Sequence, residues 1–168
     1  MKKFVRLLII GCLLLTALIP NTVYASTISS SPVEWQDITL SDEEFEKALQ
    51  NNPNNGITPY ATGLITNYAI ALTKSGTTLI VTGRTTGNAD VKKCGFTVIT
   101  IQRKKASASS WSTYAKYEDL YNESNMYKLS KKINVTSGYQ YRVTCTHYAK
   151  KNLLSTQKIN NTSNTLSF

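Results

Sequence analysis

Gly138-Tyr139-Gln140-Tyr141-Arg142-Val143-Thr144-Cys145-Thr146-His147-Tyr148-Ala149-Lys150-Lys151 is the stretch on which the fold turns. Its residues alternate in character. On an extended strand successive side chains point to opposite faces. Tyr139, Tyr141, Val143, Cys145 and His147 therefore share one side, and Gln140, Arg142, Thr144, Thr146 and Tyr148 the other. The first set is the more apolar and is expected to face a core, while the second suits solvent. Gly138 stands where a tight turn would deliver the chain into the strand.

Outward from this strand, the chain beyond Thr62 is rich in Thr, Val, Ile and Tyr and is punctuated by turn residues. Seven strands are predicted, over 66–73, 77–84, 94–104, 113–117, 127–135, 139–149 and 155–166. The turns are Ser75-Gly76, Gly87 to Asp90, Ser107 to Ser110, Asn122 to Asn125 and Ser137-Gly138. Short strands at regular spacing, with no helical pattern between them, predict an all-β antiparallel sandwich. Phe96, Val98, Ile99 and Ile101 mark the centre of a partner strand, but their apolar positions fall on both faces. A bulge near Thr97 would reconcile the two phases.

The run Val135-Thr136-Ser137-Gly138-Tyr139-Gln140-Tyr141-Arg142-Val143 resembles the E–F corner of fibronectin type III and immunoglobulin-like sandwiches. There a turn glycine precedes a strand whose Tyr hydroxyl bonds back to upstream backbone. The resemblance implies that role for Tyr141.

The N-terminus reads differently. Lys2, Lys3 and Arg6 form a positive region, Leu7 to Ile19 an apolar core, and Val23-Tyr24-Ala25 a small-residue cleavage site. Together they predict a signal peptide over 1–25, cleaved after Ala25, and hence secretion. Ile9-Ile10-Gly11-Cys12 carries the letters of a lipobox, which would instead make Cys12 a lipidated terminus. The apolar run continues past Cys12, which favours the ordinary signal. Cleavage leaves 143 residues, enough for one domain with a core. No later run is long and apolar enough to span a bilayer. The expectation is release from the cell or non-covalent retention at its surface.

Residues 26–61 form a leader. Ser26 to Pro32 is Ser-rich and expected to be disordered. Ser41-Asp42-Glu43-Glu44 then offers an N-cap with its capping-box partner three residues on, and Phe45, Ala48 and Leu49 fall on one helical face. A short helix near 42–50 is predicted. Asn51 to Gly56 stops it and links it to the sandwich at 62–168. Trp35 is the leader's one residue that is costly to expose, and it could dock on the sandwich or on a partner.

Charge divides along the same boundary. Residues 26–60 hold six carboxylates against one lysine, a net of −5, and residues 61–168 hold fifteen bases against four acids, a net of +11. A domain that basic attracts polyanions, which outside a bacterium include teichoic acids, anionic lipid head groups, acidic glycans and released DNA. Arg103-Lys104-Lys105, Lys131-Lys132 and Lys150-Lys151 are the candidate binding cations, with Tyr114, Tyr117, Tyr127 and Tyr148 as possible stacking partners. The plain alternatives are a solvated basic surface and tyrosines that simply pack. The acidic leader could mask the basic face or serve as a solubilising spacer. No fold signature for specific nucleic-acid recognition is present.

Catalytic chemistry is sparse. Cys94 and Cys145 lie on two strands that could be antiparallel neighbours, so a disulfide and two buried thiols are both open. His147 is two residues from Cys145 and shares its face, which makes a thiol hydrolase conceivable, but no motif marks an orienting Asn or Asp. Glu118 and Asp119 are adjacent, so on a strand they point to opposite faces. No spacing suits a metal site, and no Gly-rich phosphate loop or nucleophile elbow is found. The expectation is a non-enzyme without cofactor or metal. It would act as a binding module for an anionic cell-wall polymer or glycan, or as a protein-interaction or toxin-like effector.

Residues 62–168 also resemble a domain family of unknown function found in small secreted proteins of Gram-positive anaerobes. The matching pieces are Gly95-Phe96, Ile99-Thr100-Ile101-Gln102-Arg103, a Ser-rich turn with Trp111, Ser137 to Val143, and Thr146-His147-Tyr148. Cys145 stands where the pattern expects a small residue such as Gly. The resemblance implies a secreted β-sandwich and no activity.

Overall fold

The computed structural model describes residues 33–57 and 63–168. The expected signal peptide, Cys12, Ser26 to Pro32 and Tyr60 to Thr62 lie outside the described residues. In chain order come β1 (Gln36–Asp37), α1 (Asp42–Leu49), β2 (Gly56–Ile57), β3 (Ile65–Ser75), β4 (Thr78–Gly87) and β5 (Lys93–Lys105). They are followed by β6 (Ser112–Asn122), β7 (Met126–Asn134), β8 (Tyr139–Lys150), β9 (Thr156–Thr162) and β10 (Leu166–Ser167). The chain is an all-β sandwich of two antiparallel sheets. The first sheet has the order β1-β7-β4-β3-β2, and the second runs β6-β5-β8, with β9 and β10 laid end to end along the far edge of β8. The long strands β3 to β9 correspond to the seven that strand patterning predicts.

Alternation along β8 places the core. Tyr141, Val143, Cys145, His147 and Ala149 are buried, and the residues between them are half-buried. Tyr141, Val143 and Cys145 pack with Ile70, Leu72, Leu79 and Val81 of the first sheet, and Ala149 with Ile65, Val91 and Cys94. On β5 the buried set begins in one phase with Cys94 and Phe96 and continues in the other with Ile99 and Ile101. The change falls at Thr97, where the register with β8 slips between Phe96↔His147 and Val98↔Thr146. One inserted residue reverses the facing of everything after it. Next to the bulge, Gly95 adopts φ 154°, and a Cβ there would stand 1.9 Å from the Leu120 carbonyl oxygen.

Tyr141 makes the corner its sequence context implies. Its hydroxyl donates to the Thr136 carbonyl at 3.1 Å and accepts from the Thr136 N–H at 3.1 Å. Three residues of turn are thus pinned to the start of β8 by a side chain with no exposed surface.

The expected strand over 155–166 is instead two strands, because Ser163 and Asn164 turn their side chains to other backbone. Ser163 Oγ accepts the Val143 N–H at 2.8 Å. The Asn164 amide crosses to the first sheet, where it accepts from the Leu72 N–H at 2.8 Å and donates to the Leu72 carbonyl at 3.0 Å. Asn52 and Asn55 do the same for Ile70: Asn55 Oδ1 accepts its N–H at 2.8 Å and Asn52 Nδ2 donates to its carbonyl at 2.7 Å. Carboxamides thus stand in for a neighbouring strand where β2 no longer covers the edge of β3, as buried backbone polar groups require.

Residues 33–57 pack on the sandwich, and the helix expected near 42–50 forms there as α1, while the stretch expected to be disordered, Ser26 to Pro32, lies outside the described residues. Ser41 caps α1, its Oγ accepting the Glu44 N–H at 3.2 Å while Glu44 Oε2 accepts the Ser41 N–H at 2.9 Å. Phe45 and Leu49 press on Ala69 and Ala71, whose small side chains leave room for a helix on the outer face of β3. Trp35 stacks on Tyr117 with ring centroids 3.6 Å apart and planes 1° from parallel. Asp37 pairs with Lys131, Asp42 with Lys128 and Glu46 with Arg84. Three of the leader's six acids are therefore paired with the first sheet.

Candidate functional site

Two side-chain groups carry chemistry: a buried chain of polar residues between the sheets, and the outer face of the second sheet.

The buried chain is Cys145–His147–Thr85. Thr85 Oγ1 donates to the Gly95 carbonyl at 2.9 Å, so toward His147 Nδ1, at 2.8 Å, it acts as acceptor. That leaves the Nδ1–H tautomer, with Nε2 free to accept the Cys145 thiol at 3.4 Å. Burial lowers the His147 pKa to about 3 and pushes the Cys145 thiol far above its ordinary value. The pair is thus a neutral thiol and a neutral imidazole. A thiol nucleophile needs a thiolate and an approach for substrate; His147 has no exposed surface and Cys145 only 4 %. Sequence spacing correctly brings the two side chains together, and the structure seals them in.

The disulfide is corrected. Cys94 and Cys145 are both free and buried. Their strands β5 and β8 are antiparallel neighbours, but Cys94 lies opposite Ala149 and Cys145 opposite Ile99. Four residues along a strand separate the Cα atoms by roughly 13 Å, well beyond the ~7 Å limit for a bridge. Burial raises the Cys94 thiol to about 11.

The outer face of the second sheet carries the solvent phase of β5, β8 and β9. Thr100, Thr144 and Thr162 form one cross-strand row, and Val98, Thr146 and Asn160 the next. Thr146 Oγ1 donates to Asn160 Oδ1 at 2.8 Å. A shallow depression of about 320 Å³ lies over these rows. At one end, the Trp111 ring has Arg142 4.4 Å and Lys104 5.2 Å from its centroid. Arg142 Nε is held by Gln102 Oε1 at 2.8 Å, its partner across the ladder. At the other end, Tyr121 and Tyr148 lie 5.0 Å apart, with Lys93 5.1 Å from the Tyr121 centroid. Six residues of β8 separate Arg142 from Tyr148, about 20 Å at strand spacing.

The predicted cations are divided among separate places. Lys104 joins the Trp111 cluster, and Lys105 ends β5 at the same end of the sheet. Arg103 sits between the rings of Tyr114 and Tyr139, 4.9 and 4.8 Å from their centroids. Lys150 is at the far end of the sheet, opposite Lys93, and Lys151 is paired with Asp90 at 2.6 Å. Lys131 and Lys132 are on β7 in the first sheet, where Lys131 is paired with Asp37 and lies over Trp35. Among the described residues, no ion pair engages Lys104, Arg142, Lys150 or Lys158. Of the four tyrosines, Tyr148 faces outward and Tyr114 flanks Arg103, while Tyr117 and Tyr127 pack against Trp35 and Phe96. Sequence reading missed Arg142 with Trp111. The outward phase of β8 identified Arg142, but nothing local identified its aromatic partner.

Among the described residues, no group of three or more His, Cys, Asp or Glu side chains is placed to hold a metal ion, and no helix is long and apolar enough to cross a membrane.

No family model matches this chain. No curated protein matches it either. Among solved structures it is similar to a superoxide reductase in the oxidised state, with a TM-score of 0.35 and 10 % identity over 63 % of this chain and 94 % of that one. A likeness of that degree carries no argument about function.

Proposed function

We propose that this chain is a secreted, non-catalytic binding module that takes an anionic surface polymer or glycan on the outer face of its second sheet. The observation that carries the reading is the layout of that face. Two rows of Thr and Asn hydroxyls and amides lie between aromatic–cation clusters about 20 Å apart. Ring faces stack on sugars, the flanking cations hold phosphate or carboxylate, and the polar rows suit hydroxyl groups between them. Such a spacing fits an extended polymer better than a compact small molecule. The leader supports the same reading. Asp37, Asp42 and Glu46 pair with cations of the first sheet, while Lys104, Arg142, Lys150 and Lys158 of the second carry no ion pair among the described residues.

The test is co-sedimentation of residues 31–168, one compact unit, with Gram-positive cell walls before and after removal of teichoic acid. Binding is expected to need the polymer and to fade with salt. Trp111→Ala combined with Arg142→Ala is expected to weaken it about tenfold, while Lys131→Ala with Lys132→Ala leaves it unchanged. Absence of binding, or equal loss from the first-sheet variant, would remove this function. Saturable binding that persists at high salt and survives polymer removal would point to a protein receptor instead.

A further inference from the structure

The hairpin tip between β8 and β9 is built for a different contact. Leu153 and Leu154 are 88 % and 99 % exposed. Neither contributes to a core, and both project from a tip that its own hydrogen bonds define. The Lys151 N–H donates to the Ser155 carbonyl at 3.0 Å, and the Leu154 N–H to Asn152 Oδ1 at 3.0 Å. Cations ring the base. Lys151 is anchored to Asp90, Lys93 lies opposite Lys150, and the Lys92 N–H donates to the Lys150 carbonyl at 2.9 Å. Four lysines thus stand at the base of a tip that carries two bare leucines, Lys93 paired with Glu123 and Lys151 with Asp90.

The geometry points to this tip as an insertion point into an anionic phospholipid surface. Leu153 and Leu154 enter the boundary between head groups and acyl chains, and Lys92 and Lys150 meet the phosphates. Apolar side chains at the apex with lysines one layer behind match the polarity gradient of such a surface. A protein partner fits less well. Protein interfaces bury about 800 Å² per side and are depleted in Lys at their cores, whereas this tip offers two side chains and a collar of lysines. The inference does not rest on the polymer-binding reading: the tip adjoins the Tyr121–Tyr148 end of that face and shares Lys93 with it, but Leu153 and Leu154 take no part in polymer binding.

Residues 31–168 provide the test, since they fold as one unit and omit the apolar N-terminal segment, which would partition by itself. Sedimentation with phosphatidylglycerol-containing vesicles is compared with sedimentation with phosphatidylcholine vesicles, neither of which contains any polymer. The chain is expected to bind the anionic vesicles, more weakly at high salt. Leu153→Ser with Leu154→Ser is expected to reduce partitioning about tenfold or more, and Lys92→Gln with Lys150→Gln to reduce it severalfold. A Leu154→Trp variant provides a second readout through a blue shift of its emission on anionic vesicles. Absence of sedimentation, equal binding to neutral vesicles, or full binding by the leucine variant would each overturn the proposal. None of these outcomes bears on binding to cell-wall polymer.

Discussion

At the scale of single residues, His147 shows how burial decides chemistry. The same imidazole near a thiol in a cleft would be a base, but here it is a neutral acceptor locked by Thr85. Its folded pKa, near 3, lies below the unfolded value of 6.5. Between those values the unfolded chain binds the extra proton, so stability is expected to fall as pH drops through 6.5, by about 1.4 kcal/mol per pH unit. Urea midpoints measured between pH 7 and 5 check this, a window above the range in which the depressed carboxylates of Asp42, Glu44 and Asp90 titrate. His147→Gln should flatten the slope. The adjoining thiols carry a companion expectation: a thiol reagent should label neither Cys94 nor Cys145 in native residues 31–168, and both after denaturation. Rapid labelling of Cys145 in the native protein would show an open site and revive a nucleophilic role.

At the scale of elements, the edge of β3 is where the sandwich is most exposed to failure. Its backbone at Ile70 and Leu72 is closed by asparagines from distant segments. Asn164→Ala would leave both polar groups of the buried Leu72 backbone without that carboxamide. The expected cost is about 2 kcal/mol, read as a lower denaturation midpoint with unchanged slope. The bulge in β5 is the other decisive element. The two-phase apolar pattern of Phe96 and Ile99 signalled it, and Gly95 permits the close approach of β6 beside it.

At the scale of the molecule, residues 33–57 of the acidic leader pack as part of the basic sandwich. Removing residues 31–57 would uncover Ala69, Ala71 and the Tyr117 ring, and strand the partners of three ion pairs. The burial of Phe45, Leu49 and Trp35 alone represents more than about 3 kcal/mol. Residues 63–168 are therefore expected to melt well below residues 31–168 in calorimetry. An equal melting temperature would show the leader to be a mere appendage.

Patterns carried by neighbours in the chain were legible before the fold was known. They include the alternation of β8, the cap and apolar face of α1, the corner at Tyr141 and the seven long strands. Each depends on local periodicity or on a hydrogen bond spanning a few residues, so its cause lies within one segment. What faces what was decided only by tertiary structure. Register set Cys94 against Ala149 and not Cys145, brought Trp111 to Arg142, and separated Lys131 from Lys150 onto different sheets. Those outcomes depend on how two sheets align across a shared core. A one-residue slip in a strand changes every such pairing while leaving its own alternation intact.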